Sequence, residues 1–155
     1  MELKTATEFF SLMDKHIALY TELFELEDAK LQDINKNNYK ALDDYVKKEE
    51  ALVLRVRGME STREKFLKEN GLDGLKMKEI IEQLPTEQKA HGQEIYEKFS
   101  KIVNKVNAVN KKSMFISEIR MHNLQKAIAK AEHKGEQPTG VAKKSEDRLK
   151  LSKKI

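Results

Sequence analysis

The chain contains no cysteine and no tryptophan, and only two prolines and six glycines among 155 residues. Without cysteine there is no disulfide, no thiolate metal ligand and no cysteine nucleophile, which excludes a disulfide-stapled secreted fold. So little proline and glycine leaves few of the tight turns that a sandwich of many short strands requires. Long apolar runs are missing as well. No stretch approaches the roughly 20 residues of a membrane span, and the opening MELKTATEFF has no secretory apolar region. These absences lead to the expectation of a soluble, intracellular protein.

What the chain does have is charge in both signs. Charged residues make up 36% and apolar ones 39% of the sequence, a mixture suited to helices with one buried stripe and a wide solvated surface. The formal net charge of +4 is unevenly placed. Residues 134–155 hold seven basic and three acidic side chains, whereas 1–133 hold 23 of each. A body of balanced charge argues against a nucleic-acid surface there. The tail, with its KK…R…K…KK pattern, has no aromatic residue for base stacking and is thinner than a polybasic membrane anchor. It reads as a flexible basic tail.

Apolar spacing divides residues 1–133 into helices. Residues 5–34 form the first, opened by Thr5 and Glu8 at capping-box spacing. Phe9, Met13, Ile17, Tyr20, Phe24, Leu31 and Ile34 recur at helical intervals, and Leu12, Leu23 and Leu26 widen the stripe enough for two neighbours. Asn35–Asn38 is a short polar link. The second helix, 39–69, carries Tyr39, Leu42, Val46, Val53, Val56, Phe66 and Leu67 on its face, with Leu52 and Met59 beside it, and stops at Asn70-Gly71 and Asp73-Gly74. Gly58 inside it is either a local weakness or a point of close helix approach. A short amphipathic helix over 75–84 ends at Pro85, and the last helix runs 86–133. That last helix would be roughly 70 Å long, longer than a bundle of the other two can cover, so either it overhangs them or its far half is covered by something else. The fold expected is all-α: an elongated antiparallel bundle of three long helices and one short one, the last longest.

The motifs of catalytic and metal chemistry are missing, so an enzyme is not expected. The sequence has no GxxxxGK[ST], HExxH, GxSxG or GxGxxG, and no Glu-x-x-His pairs of a diiron bundle. The expected cofactor is none. His16 reads as a surface or boundary histidine, with a bundle register opposite His122 and Asn123 as the other arrangement. Glu27, Glu49 and Arg63 share the core-facing phase of their helices and are expected to form a Glu–Arg pair that fixes register.

In KIVNKVNAVNKK, residues 101–112, Asn104, Asn107 and Asn110 form a polar ridge beside Ile102, Val103, Val106 and Val109. Lysine and glutamate are better helix formers at exposed sites. Asparagine here therefore suggests a carboxamide paired at a packed contact, within the bundle or with an incoming peptide.

The layout resembles the FlgN family of flagellar export chaperones. The likeness lies in a leucine-rich first helix carrying Glu27, a polar link, a second helix with Leu42, Lys48 and Glu49, an E..R..fl ending at Glu60, Arg63 and Phe66–Leu67, and the N..N pattern of Asn107 and Asn110. Val106 and Val109 stand where the family usually has leucine. The resemblance implies a non-enzymatic cytoplasmic chaperone. It would bind the C-terminal amphipathic helices of hook-associated proteins and aid their delivery to the export apparatus of the flagellar type III system. From the chain's own pattern, the client-binding positions are Val106, Asn107, Val109, Asn110, Ile116, Ile119 and Leu124. Two other readings of the residues stay open. One is a self-associating homodimeric coiled-coil scaffold; the other is a helical regulator whose basic tail binds nucleic acid.

Overall fold

The computed structural model describes residues 1–131. The fold is an all-α elongated bundle of α1 (Leu3–Asn35), α2 (Leu42–Glu69), the short α3 (Met77–Glu82) and α4 (Lys89–Lys130), with a single 3-10 turn at Thr86–Gln88 before α4. α1 begins two residues earlier than the Thr5–Glu8 spacing suggests, and its N-cap, Glu2, makes no side-chain capping bond. Thr7 instead donates its hydroxyl to the Leu3 carbonyl. α2 starts three residues after the expected position 39, because Asn37 takes a left-handed φ of 57° in the link and leaves Tyr39 outside the helix. The basic tail, His133 and the end of the last helix expected at 133 lie outside the described residues.

α1 is the middle of the bundle, with α2 and α4 packed along it, as its wide stripe requires. Tyr20 donates to Glu60, whereas Lys30, further along α1, bonds Glu49 earlier in α2, so these two helices run antiparallel. Phe10 meets His91, Tyr20 meets Phe99 and Lys105 lies over Phe24, so α1 and α4 run the same way. Phe9, Met13, Tyr20, Leu23, Val56, Ile95, Phe99, Val103 and Val106 form the sealed centre. Burying each large apolar side chain contributes about 1.5–3 kcal/mol.

After α2 the chain turns sharply at Gly71 (φ 67°) and Gly74 (φ 76°), a backbone region that costs glycine little. Leu72 and α3 then close the bundle end against α4. Gly92 allows this closure: a Cβ there would stand 2.5 Å from Leu84 Cδ1 and 3.3 Å from Ile81 Cγ2. Gly58 has no such role, since a Cβ on it would meet nothing within 4 Å.

Buried polar groups interrupt the core. His16 is buried, only 1% exposed, rather than at a surface. It falls three residues after Met13 and four before Tyr20, within the same stripe. Its Nδ1–H donates to the Leu12 carbonyl, and its ring stands edge-on to Phe99. His122 is exposed near the far end of α4, so the two histidines do not face each other. The expected Glu–Arg pairing is also rearranged. Arg63 bonds Glu60 on its own helix, at 2.8 Å. Glu27 and Glu49 hydrogen-bond each other across α1 and α2 and share Lys30, whose Nζ lies 3.0 Å from Glu27 Oε2.

Candidate protein-binding surface

Ser113 is the last buried residue of α4. From Met114 to Lys130 every side chain is exposed or half-buried, although apolar residues continue through Phe115, Ile116, Ile119, Met121, Leu124 and Ile128. Two geometric reasons combine: Phe115 and Ile119 face away from α1, and beyond Arg120 α1 has ended. α1 ends at Asn35, and Arg120 marks its level on α4 by donating Nη2 to the Ile34 carbonyl at 2.7 Å. This bond satisfies one of the carbonyls that a helix C-terminus leaves without an intrahelical partner. The same guanidinium lies 5.2 Å from the Tyr39 ring, so one residue ties α4 to both the end of α1 and the link beyond it. α4 then runs on to Lys130, about 15 Å further at its rise per residue.

The seven client-binding positions read from sequence divide along this line. Val106, Val109 and Asn110 are buried inside the bundle and Asn107 is half-buried, so they present no free apolar surface. Ile116 is half-buried at the edge, while Ile119 is 43% and Leu124 51% exposed. Phe115, which the sequence reading did not select, is 63% exposed. It lies on the side of α4 opposite the buried stripe, turned away from α1, so helix phase alone leaves it uncovered. The asparagine ridge spirals from solvent to core: Asn104 exposed, Asn107 half-buried, Asn110 buried. Asn110 Oδ1 has no hydrogen-bond partner in the protein, so the pairing expected of its carboxamide is not made by the bundle at that atom.

A stretch that is apolar, helical and uncovered over several turns is suited to packing against another helix. The remaining polar groups do not assemble a reactive site. Burial pushes the Glu27 carboxyl up to about 7, assisted by its hydrogen bond with Glu49 and opposed by Lys30. Burial would lower Lys30, but Glu27 and Glu49 outweigh it and raise its affinity for the proton. Burial also lowers His16, against the pull of the Leu12 carbonyl and Glu60. Each group is enclosed by the bundle. A cleft of about 50 Å³ beside Phe9, Met13, Arg63, Met77 and Phe99 is far smaller than the several hundred Å³ of a ligand site. Among the described residues no cluster of His, Asp and Glu is placed to hold a metal ion, and no helix is long and apolar enough to cross a membrane.

A family model described as FlgN protein matches residues 1–140. No curated protein and no solved structure matches the chain.

Proposed function

The chain belongs to the FlgN family of non-enzymatic flagellar chaperones, and on that premise we propose that it holds the C-terminal amphipathic helices of hook-associated proteins along distal α4. It does so in the cytoplasm, before export. The observation that carries this reading is the apolar surface left uncovered on distal α4: Phe115 and Ile119 exposed on one side beside half-buried Ile116, and Leu124 exposed past the end of α1. An amphipathic helix kept from its own assembly partners needs a surrogate apolar surface, and an exposed helix of several turns supplies one without any folding step. Holding the client there prevents its premature assembly. The rest of the bundle stays free to meet the export apparatus.

The buried members of the predicted set serve this function indirectly. Val106 and Val109 fasten the proximal part of α4 to the bundle, so the distal part is presented as a rigid extension. Amide hydrogen exchange tests the assignment. Added C-terminal segments of the hook-associated proteins are expected to slow exchange over 115–130 and leave α2 unchanged. Protection concentrated on α2, with none on distal α4, would place the client elsewhere and overturn the reading.

A further inference from the structure

We infer that the client helix seated on distal α4 is acidic, with apolar residues at its centre and carboxylates towards both ends. The inference rests on the chaperone reading above and adds the chemistry of the segment held. It starts from how charge is spread over the described residues. Residues 1–110 carry 18 basic and 21 acidic side chains, whereas 111–131 carry five basic ones (Lys111, Lys112, Arg120, Lys126, Lys130) and a single acid, Glu118. The bundle body is therefore slightly negative and its extension is strongly positive.

The cations are also ordered in space. At 3.6 residues per turn, Lys111, Lys112, Phe115, Ile119, Lys126 and Lys130 fall on one side of α4, the side turned away from α1. Phe115 and Ile119, four residues apart, are adjacent on that side and make one apolar contact surface. Lys111 and Lys112 stand about one turn before it, and Lys126 and Lys130 two to three turns after it. All four lysines are exposed, and none has an ion pair among the described residues. Arg120 is already committed to Ile34 and Tyr39. Glu118 falls to one side of the lysine-flanked face.

Two copies of the chain cannot pair comfortably through this face. Four lysines would meet four lysines at close range, and like charges facing each other oppose association. A helix of about 18 residues, roughly 27 Å long, reaches from one lysine pair to the other. Apolar residues at its middle would cover Phe115 and Ile119, and carboxylates near its ends would meet the lysines. The arrangement also fixes how the segment is found, because opposite charge accelerates encounter and rejects basic helices of equal hydrophobicity.

The test is calorimetric binding of the full chain to the purified C-terminal segments of the same organism's hook-associated proteins, at 50 and 500 mM salt. Three variants accompany the wild type: K111E/K112E/K126E/K130E, the corresponding four-glutamine variant, and Phe115→Ser/Ile119→Ser. Circular dichroism confirms that each is folded. The inference expects at least tenfold weaker binding at high salt, at least tenfold loss with the glutamates, a smaller loss with the glutamines, and loss with the serines. Binding that falls with the serines but ignores salt and both lysine variants overturns the acidic helix and leaves the chaperone reading standing. No binding by the wild type, or a dimer by light scattering that the serines dissociate, overturns both.

Discussion

Replacing Glu27 by glutamine should remove a pH dependence that the buried Glu27–Lys30–Glu49 group imposes on folding. In the folded chain the Glu27 carboxyl is held at about 7, against 4.5 for a free glutamate side chain. Burial disfavours its anion, and the protonated carboxyl donates to Glu49. Between pH 4.5 and 7 the folded state therefore keeps a proton that the unfolded state releases. Its contribution to stability is fully present below pH 4.5 and is lost as pH rises through 7. A rise from 4.5 to about 7 corresponds to about 3 kcal/mol at 1.36 kcal/mol per unit. His16 acts in the opposite sense over a neighbouring window. Burial keeps it neutral in the fold while the unfolded chain takes up a proton below 6.5, so its contribution is lost as pH falls. The informative quantity is thus the difference between Glu27→Gln and wild type, in which the His16 contribution cancels. Urea unfolding followed by circular dichroism at pH 5, 6, 7 and 8 measures it. The glutamine, which keeps a donor for Glu49 at every pH, is expected to move from near equality at pH 5 to an advantage of about 2–3 kcal/mol at pH 8. A difference that stays constant with pH would refute the buried shared proton.

Three further changes test the packing. Gly58→Ala should raise stability by about 0.5–1 kcal/mol, since its Cβ meets nothing and alanine favours the helix. Gly92→Ala should lower it by about 1 kcal/mol in the same unfolding assay, because its Cβ would stand 2.5 Å from Leu84 Cδ1 in a filled contact. Asn110→Leu removes a buried oxygen that has no hydrogen-bond partner, and thermal melting should find the variant about 1 kcal/mol more stable.

The helices were legible because apolar spacing and breakers act locally. The stop signals Asn70-Gly71 and Asp73-Gly74 became the positive-φ turns that end α2, and the length of the last helix announced an overhang. Contacts between helices were not legible in the same way. Glu27 and Glu49 both point inward by phase, yet phase alone does not tell that Lys30 joins them or that Arg63 turns to Glu60. His16 occupies a stripe position by spacing, yet with no His or carboxylate at metal-ligand spacing it reads as a surface or boundary residue; the Leu12 carbonyl, four residues back, supplies the bond that lets it be buried. Exposure along the last helix is the least legible. Periodicity extends one apolar stripe from Val106 to Leu124 without marking where α1 stops, so covered and uncovered residues look alike. Arg120, four residues after Ile116, gains its meaning only from the Ile34 carbonyl beside it.

The central claim is that distal α4 grips a client helix, and calorimetric titration with Ile119→Asp measures it most directly. Ile119 is 43% exposed and beyond the sealed core, so the aspartate should leave the fold intact. The account predicts 1:1 binding of a hook-associated C-terminal segment at micromolar or tighter Kd by the wild type, weakened at least tenfold by the substitution. Equal affinity of Ile119→Asp and wild type would contradict it.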